Sequence, residues 1–582
     1  MILHYEFESI PLIQPIKNSI SRCGSYRINS LIISSDKITL KPTMNRNIFA
    51  TFENRKSATL STELMDTIKI LWADDEIDLL KPHLLFLQEK GYSVTTSTNG
   101  GDAFEQFKNQ NFDIIFLDEN MPGLSGLETL SRMKNLKPEI PVIMITKSEE
   151  ESIMEEAIGS KIADFLIKPV NPNQILLSLK KNLENKRLIS EKTATAYQQE
   201  FRNIGMTLSD KLSWKEWVDV YRRLVFWELE LQESADESMY EILTAQKSEA
   251  NKLFSRFIEN NYLNWLKNPD KDIPVTSNQL MKKKILPSVD ESPDPVFMVL
   301  IDNLRYDQWK ILQPVLSEYF RIQEDDLYFS ILPTATQYAR NAIFAGLMPS
   351  EIEARFPNLW LNDEDEGGKN KHEQDFLSDT LKRFRKEYKF SYTKITNHQE
   401  GKDLVENVPN LLQNKFNVIV YNFVDMLSHA RTEMEMIREL AEDEAAYRSI
   451  TLSWFEHSPL FEALKRMAEK KIRLIITTDH GTIRVKEPTK IVGDKTVNTN
   501  LRYKQGRNLN YDKREVFEVK NPADAMLPRQ HLSQAFVFAK QDNFFAYPNN
   551  YNYYVTYYKN TLQHGGISLE EMIIPYAVLS SK

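Results

Sequence analysis

Short apolar runs alternate with helical stretches in the first part of the chain. The runs cover residues 68–73, 113–117, 141–145 and 164–167, and polar residues with helical spacing separate them. This alternation is typical of βαβ units, which build a parallel sheet with helices on both faces. The pattern therefore predicts a doubly wound α/β domain over residues 65–185.

The next segment, 186–290, is charged and contains few glycine or proline residues. Leu224, Trp227 and Leu231 recur at helical spacing, which indicates amphipathic helices packed into a bundle. Alternation of apolar runs and helices then resumes over 291–582 and predicts a second α/β domain with a central, mostly parallel sheet. The apolar runs of this domain are residues 296–301, 417–422, 471–477 and 572–579.

The start of the chain lacks these patterns. Residues 1–64 mix serine, asparagine, lysine and isoleucine without a clear period, whereas the sequence from Met65 onward begins like a domain. We therefore expect residues 1–64 to be a non-native or disordered extension with little function.

The composition narrows the chemistry available to the chain. A net charge of -9 gives no field that would hold it on nucleic acid or an anionic membrane, so duplex DNA binding is not expected. The single cysteine, Cys23, excludes an intrachain disulfide framework and a cysteine-rich zinc site. Because no stretch reaches the roughly 18 apolar residues of a membrane-spanning helix, we expect no membrane insertion and a cytoplasmic protein.

Polar side chains follow the predicted strands of the first domain, at the ends where a parallel sheet binds its ligands. Asp74 and Asp75 follow the first strand, Asp118 the third, Thr146 the fourth and Lys168 the fifth. Three clustered carboxylates repel one another unless they share a cation, and Mg²⁺ binds through few carboxylates, water and phosphate oxygens. Asp118 can then form an aspartyl phosphate, while Thr146 and Lys168 contact the phosphoryl oxygens.

These residues, with the Met121-Pro122-Gly123 turn and the Lys168-Pro169 pair, resemble the receiver domains of response regulators. The resemblance covers residues 66–185 and implies a flavodoxin-like fold, a phosphoacceptor at Asp118 and a cis peptide in the Lys-Pro pair. The family switches through an aromatic residue three positions before the lysine, here Phe165. Because Phe165 lacks a hydroxyl, inward packing would carry the signal, although such a residue by itself is more typical of a core.

In the second α/β domain, aspartate and histidine residues follow the predicted strands in two complementary groups. Each group can bind one Zn²⁺, and two neighbouring cations can hold both oxygens of an in-line displacement. The imidazoles favour zinc over magnesium, with manganese or iron as alternatives. The first group is Asp302, Asp479 and His480, with Thr336 as a further ligand, and the second is Asp425, His429 and His564.

Thr336 opens a predicted helix and is the candidate nucleophile, because a cation and a helix N-terminus both favour its alkoxide. Thr334 is the alternative, although the proline before it suits it to a turn. Arg305 and Asn341 are candidate contacts to the nonbridging phosphate oxygens, by their donor chemistry and their position near the ligands.

The order of these motifs resembles the nucleotide pyrophosphatase/phosphodiesterase branch of the alkaline phosphatase superfamily, and Asp302-x-x-Arg305 is similar to its PglZ subfamily. The combination with a receiver domain and a helical linker resembles PorX-type response regulators. The preferred interpretation is a phosphorylation-controlled, zinc-dependent phosphodiesterase acting on cyclic or oligonucleotide substrates, with two Zn²⁺ ions and one Mg²⁺. The resemblance also implies a sensor histidine kinase, an extracytoplasmic-function sigma factor and a link to type IX secretion.

Two segments bear on the substrate. Residues 484–514 carry nine lysine or arginine residues, and residues 544–558 carry eight aromatic residues. Together they can hold phosphates and stack bases, but the favoured interpretation is a β-hairpin with aromatic cross-strand pairs beside a solvated basic loop.

Two further expectations concern the whole chain. We expect phosphorylation to promote a homodimer that is the more active form, because a helical linker transmits a change in subunit arrangement well. The alternative to an enzyme is a hydrolase fold that serves as a docking platform for a sigma factor or a secretion component.

Overall fold

The computed structural model describes most of the chain, with side chains for all described residues except 184–191 and 429–433. Residues 1–64, expected to be an extension, lie outside the described residues. The described ranges are 68–137, 140–147, 162–234, 237–268, 272–433, 443–493 and 498–582.

The first domain is a parallel sheet between two layers of helices. Its strands are β1 (Lys69–Ala73), β2 (Ser93–Ser97), β3 (Ile114–Asp118), β4 (Val142–Thr146) and β5 (Asp164–Ile167). Its helices are α1 (Lys81–Glu89), α2 (Gly100–Asn109) and α3 (Gly126–Leu136), with a 3₁₀ turn at Ile77–Leu80. The strand order is β2-β1-β3-β4-β5, and every pair is parallel.

Side chains of alternate residues in β1 point to opposite faces of this sheet. Leu71 packs in a cluster with residues of α2 and α3, whereas Trp72 packs in a separate cluster with α1. Because both faces are covered, the predicted apolar runs match four of the strands to within one residue. The edge strand β2, Ser-Val-Thr-Thr-Ser, carries no such run.

The linker is a bundle of three long helices, as predicted. The first of them also closes the receiver domain, since it begins at the Asn171 N-cap and packs Ile175 and Leu179 against Trp72. None of the helices in the described ranges is both long and apolar enough to cross a membrane. The helices are α4 (Pro172–Leu208), α5 (Trp214–Ser234) and α6 (Glu237–Lys267).

The second α/β domain contains the remaining elements. Its strands are β6 (Val296–Ile301), β7 (Phe320–Phe329), β8 (Phe390–Ile395), β9 (Phe416–Tyr421), β10 (Arg473–Thr477), β11 (Ile483–Arg484), β12 (Glu487–Val492), β13 (Tyr503–Gly506), β14 (Asn510–Tyr511), β15 (Val516–Val519), β16 (Ala535–Ala539), β17 (Asn543–Ala546), β18 (Leu562–Gln563) and β19 (Ile573–Ser581). Its helices are α7 (Ser277–Leu280), α8 (Leu286–Glu291), α9 (Tyr306–Ser317), α10 (Thr336–Ala345), α11 (Pro349–Arg355), α12 (Glu373–Arg383), α13 (His398–Leu411), α14 (Phe423–Glu433), α15 (Glu444–Glu456), α16 (Pro459–Ala468), α17 (Tyr551–Tyr558) and α18 (Leu569–Met572). A π turn at Met281–Ile285 joins α7 to α8, and Pro522–Ala525 forms a 3₁₀ turn.

The central sheet of this domain has the order β7-β19-β10-β6-β9-β8. Strands β10, β6, β9 and β8 are parallel, whereas β19 and β7 run antiparallel at one edge. All residues of β6 and β9 are buried, as expected for parallel strands covered on both faces. The carboxyl ends of β6, β9 and β10 therefore meet at one edge of the sheet.

Among the described residues, three small sheets lie outside the central sheet of this domain. The prediction of a β-hairpin in residues 544–558 is wrong. The aromatic segment forms strand β17 and then helix α17, not a β-hairpin. Tyrosines four positions apart stack along this helix, Tyr553 on Tyr557 and Tyr554 on Tyr558. Residues i and i+4 are neighbours on the surface of a helix, so this spacing of the rings suits a helical face.

Candidate active site and receiver site

The receiver site lies at the carboxyl ends of β1, β3 and β5. Asp74 and Asp118 are buried and Asp75 is exposed, and one oxygen from each lies within 4.8 Å of the others. Nζ of Lys168 is 2.9 Å from Asp118 and 3.0 Å from Asp74. The Lys168–Pro169 peptide is cis, as the resemblance implied.

The electrostatics of this site fit a bound divalent cation. Burial raises the pKa of Asp118 to about 6, and the neighbouring charge of Asp74 adds to the rise although Lys168 opposes it. The single positive charge of Lys168 thus does not neutralise the negative charges of the three carboxylates. A hard cation with oxygen ligands would complete the balance, and Asp74, Asp75 and Asp118 are the residues that would hold Mg²⁺.

The surroundings of the two switch residues, Thr146 and Phe165, could not be predicted from the sequence. Thr146 donates a hydrogen bond to the carboxylate of Glu119, the residue after the acceptor. Phe165 is 37% exposed, so it is not a core residue, and inward packing of its ring is not present in this conformation.

The first candidate zinc group lies at the carboxyl ends of β6 and β10. Ligand atoms of Asp302, Asp479 and His480 all lie within 4.8 Å of one another, and all three residues are buried. Nδ1 of His480 lies 3.2 Å from the carbonyl of Gly481, a contact that makes Nδ1 the donor and Nε2 the acceptor. That Nε2 lies 3.8 Å from Asp479 and 3.9 Å from Asp302, and Oγ of Thr336 lies 3.0 Å from it.

The charges of this group also fit a cation. Oδ1 of Asp302 and Oδ2 of Asp479 are buried and have no hydrogen-bond partner among the described residues. Burial and the charge of Asp302 raise the pKa of Asp479 well above its usual range. Burial also works to raise the pKa of Asp302, but the charges of Arg340 and His480 and the hydrogen bonds of the carboxylate together outweigh burial and lower that pKa. Adjacent buried carboxylates with unpaired oxygens are what a divalent cation would stabilise.

The second candidate group lies beside the first. Nε2 of His564 is 3.9 Å from Oδ1 of Asp425, and the His564 ring stacks on His480 with 4.3 Å between centroids. Nδ1 of His564 lies 3.2 Å from the carbonyl of Thr334, so this imidazole is also oriented with Nε2 towards the carboxylate. The side chain of His429 lies outside the described residues. The fold thus brings Asp425 and His564 of the second group beside the first group.

The structure distinguishes the two threonines. Thr336 is the first residue of α10, is only partly buried and directs its hydroxyl at His480. Thr334 is fully buried, where its hydroxyl donates to the Gly566 carbonyl at 2.9 Å and accepts from the Gly565 N–H at 3.0 Å. The geometry favours Thr336 as the nucleophile. The hydrogen bonds of Thr334 instead stabilise the loop at Gly565 and Gly566, which follows His564.

Asn303 is a site residue that sequence reasoning missed. Its backbone N–H is 3.3 Å from Asp479, and its side-chain amide is 3.3 Å from Asp425, so it joins the two ligand groups. It has a φ of 65°, a conformation that asparagine tolerates better than most residues. The sequence feature that could have identified Asn303 is its position directly after Asp302, at the end of a predicted strand.

Arg340 is the second missed residue. Its Nη1 donates to Oδ2 of Asp302 at 2.7 Å, and its Nε lies 2.6 Å from Glu373. The guanidinium therefore fixes Asp302 so that Oδ1 faces the other ligands. Arg340 lies inside the predicted helix that Thr336 opens, and no local sequence pattern indicates its partners.

Arg305, a predicted phosphate contact, is occupied by partners inside the protein. Arg305 is buried and forms ion pairs with Asp307 and Glu444, at 2.5 Å and 2.7 Å. Two carboxylates thus already neutralise its charge inside the protein.

Asn341, the other predicted phosphate contact, also has partners inside the protein. Its side-chain amide donates to the carbonyls of Gln337 and Lys369, and its oxygen accepts from Asn370. Asn341 is 1% exposed, and these hydrogen bonds support the loop at Lys369.

A cleft of about 660 Å³ opens beside Thr336 and His564. Its walls include Tyr557 and Tyr558 on α17 and side-chain amides. The amide residues of the walls are Gln337, Asn370, Asn500 and Gln563.

Much of the predicted basic segment does not line this cleft. Arg502 is buried in an ion pair with Glu571, and Lys504 is buried with its Nζ on the carbonyl of Asn498. Arg484 pairs with Glu444. These three residues of 484–514 therefore stabilise the fold, and aromatic and amide groups dominate the cleft.

Three family models match consecutive parts of the chain. Residues 70–180 match the response regulator receiver domain, and residues 187–266 match the PorX response regulator linker domain. Residues 280–579 match the BREX system PglZ alkaline phosphatase-like domain.

Similar curated proteins match a limited part of the chain. The transcriptional regulatory protein ZraR of Escherichia coli K12 is 31% identical over 140 residues, which are 24% of this chain and 32% of ZraR. The transcriptional regulatory protein ResD of Bacillus subtilis is 30% identical over 112 residues, which are 19% of this chain and 46% of ResD. The chain thus spans less than half the length of these relatives.

Similar solved structures are single receiver domains. A CheY-like receiver domain protein from Methanospirillum hungatei is 25% identical, with 20% of this chain and 95% of that chain covered and a TM-score of 0.20. The chemotaxis response regulator CheY4 of Vibrio cholerae is 30% identical, with 20% and 98% covered and a TM-score of 0.19.

Proposed function

Because this chain belongs to the PglZ family of alkaline phosphatase-like domains and carries a receiver domain and a PorX-type linker ahead of it, we propose that it is a response regulator with a zinc-dependent phosphodiesterase output. Its substrates are nucleotide-type diesters, cyclic or oligomeric. Two Zn²⁺ ions would bind in the PglZ domain and one Mg²⁺ in the receiver domain.

The orientation of the two histidines is the observation that carries this proposal. His480 and His564 each turn Nδ1 to a backbone carbonyl and Nε2 towards carboxylates, as metal-binding histidines do. Asp302, Asp479, His480 and Thr336 would hold one zinc, and Asp425 and His564 would hold the other with His429. Bound zinc would lower the pKa of the Thr336 hydroxyl and stabilise charge on the leaving oxygen.

The protein's own residues perform the displacement around Thr336. Its oxygen attacks phosphorus and the bond to the leaving alcohol breaks, so the phosphoryl group, still esterified to the second alcohol, becomes bonded to Thr336. The hydroxyl proton passes to solvent and the leaving alkoxide takes up a proton. Water then attacks phosphorus, the bond to Thr336 breaks, and the product leaves as a phosphate monoester of the second alcohol. The N-terminus of α10 stabilises negative charge that develops at Thr336.

The cleft supports a diester over a monoester. A diester carries one negative charge, whereas a monoester dianion needs further cationic contacts. Arg305 and Arg340 are both held by buried carboxylates, and the cationic side chain among the cleft residues, Lys369, is held by the carbonyls of Asn362 and Asp365. Tyr557 and Tyr558 supply faces on which bases can stack.

Control of this activity rests with the receiver domain. We expect a sensor histidine kinase to phosphorylate Asp118, since the receiver residues needed for that chemistry are assembled around it. Phosphorylation would promote a more active homodimer. A sigma-factor partner and a link to type IX secretion follow from the PorX-type architecture, so they are part of the same proposal.

An assay of the zinc-loaded full chain tests the proposal. Bis-p-nitrophenyl phosphate should be hydrolysed faster than p-nitrophenyl phosphate, EDTA should stop the reaction and zinc should restore it. Metal-loaded protein that hydrolyses neither ester would refute the enzymatic function and favour the docking platform. Faster turnover of the monoester would refute the assignment as a diesterase.

A further inference from the structure

The linker helix α6 touches the segment that carries His564. The side-chain amide of Asn251 donates to Oε2 of Glu570 at 2.9 Å, and its oxygen accepts the backbone N–H of Leu569 at 2.7 Å. Asn251 is 5% exposed and Glu570 is 7% exposed, so both hydrogen bonds are shielded from water. One linker side chain thus holds the first turn of α18 at two points.

That turn is tied to the His564 loop by short connections. Glu571, the residue after Glu570, accepts the N–H of Gly566 at 2.9 Å and pairs with Arg502. Only Gly565 separates Gly566 from His564. A shift of α18 would therefore be transmitted to the imidazole through a few covalent and hydrogen bonds.

A second contact from the same helix reaches the other side of the site. Lys247, one turn before Asn251, lies 2.6 Å from Glu228 of α5 and 3.5 Å from Glu570. The ion pairs continue from Glu228 to Arg448 and from Arg448 to Asp307, each at 3.0 Å. Asp307 in turn pairs with Arg305, three residues after the candidate zinc ligand Asp302.

The receiver domain is joined to the same part of α6. Helix α4, which packs on the receiver sheet at its start, carries Tyr197 and Phe201 further along. Tyr197 donates to the side chain of Gln246 at 3.2 Å, and Gln246 donates to the Phe201 carbonyl at 2.9 Å. Gln246 directly precedes Lys247, so movement of α4 acts on the residues of α6 that hold the site.

We propose that Asn251 is a positioning residue of the catalytic site, through which the receiver domain sets the place of His564 by way of α4 and α6. This inference rests on the proposed function, because it assigns Asn251 a role in that reaction. It predicts control within one chain in addition to any effect of dimerisation. Asn251 touches no reacting atom and acts only through α18.

The test exchanges the donor and the acceptor of the Asn251–Glu570 hydrogen bond in the full-length protein. Asn251→Asp places two carboxylates at hydrogen-bond distance and should push α18 away. Adding Glu570→Gln restores one donor and one acceptor with their roles exchanged. Asn261→Ala is the matched control. Asn261 lies on the same helix, and among the described residues its side-chain amide donates to the carbonyl of Phe257 in that helix.

We expect Asn251→Asp to lower kcat for bis-p-nitrophenyl phosphate roughly tenfold, the range for a broken buried hydrogen bond, with KM less affected. Zinc titration against a chelating dye should show weakened binding of one of the two ions. Beryllofluoride, a phosphoryl mimic at Asp118, should no longer change the rate. The double variant should recover all three properties, and Asn261→Ala should match the wild type.

The outcomes separate this inference from the proposed function. A wild-type protein without zinc-dependent diesterase activity would refute the proposed function. The role of Asn251 could still be tested, because zinc affinity can be compared between the wild type and Asn251→Asp without an activity assay. Unchanged kcat, zinc affinity and beryllofluoride response in Asn251→Asp would overturn the inference. A double variant that recovers none of these, or that does not fold, would also overturn it, because the loss would then be general destabilisation.

Discussion

Removal of the hydroxyl groups of Thr336 and Thr334 should have opposite consequences for catalysis and stability. Thr336→Val keeps the shape of the side chain and removes one hydrogen bond, the 3.0 Å contact with His480, at a partly exposed position. Such a loss costs about 1 kcal/mol of unfolding free energy. If Thr336 is the nucleophile, kcat should fall by about a thousandfold or more while zinc content is retained.

Thr334→Val should show the reverse pattern. Its hydroxyl is fully buried and serves both the Gly566 carbonyl and the Gly565 N–H, which valine would leave without a partner. Two unsatisfied buried backbone groups should cost about 3 kcal/mol. We expect kcat to fall by less than about tenfold, since the reacting oxygen is still present.

Both variants are measured in the same way. Urea denaturation followed by tryptophan fluorescence gives the change in stability, and turnover of bis-p-nitrophenyl phosphate by zinc-loaded protein gives kcat. Full activity in Thr336→Val would refute the assignment and move the attack to Thr334 or to water. A large loss of activity with unchanged stability in Thr334→Val would show that the hydrogen bonds do not define its role.

Four further outcomes are expected. Acetyl phosphate with Mg²⁺ should add one phosphoryl group to the wild type and none to Asp118→Asn, as followed by mass spectrometry; a labelled variant would disprove the acceptor. Asp479→Ala should reduce bound zinc from about two ions to about one per chain in metal analysis, and unchanged content would exclude Asp479 as a ligand. Beryllofluoride should shift the wild type towards a dimer in light scattering and raise its diesterase rate, and a monomer of unchanged rate would contradict control by dimerisation. Burial lowers the pKa of Lys504 to about 7, so between that pH and about 10 the unfolded chain binds the proton and the folded chain does not. Stability should therefore rise with pH across this window, and Lys504→Met should lack that part of the rise in urea titrations; identical pH profiles would contradict the lowered pKa.

The sequence determined where the two sites lie. Apolar runs such as 296–301 can be buried only as strands covered on both faces, so the polar residues that follow them must meet at one edge of a parallel sheet. That reasoning brought Asp118 together with Asp74, and Asp302 with Asp479. Even the helical nature of the linker followed from the spacing of its leucine and tryptophan residues.

Only the tertiary structure decided what the charged and amide side chains do around those sites. Arg305 and Asn341 have the donor chemistry of phosphate contacts, yet both are occupied inside the protein, whereas Arg340 holds Asp302. Asn251 and Glu570 are 319 residues apart in the chain. The periodicity of a sequence fixes which face of an element is buried, because burial depends on local hydrophobicity. It does not fix which distant partner a polar side chain meets, because that depends on how separate elements pack.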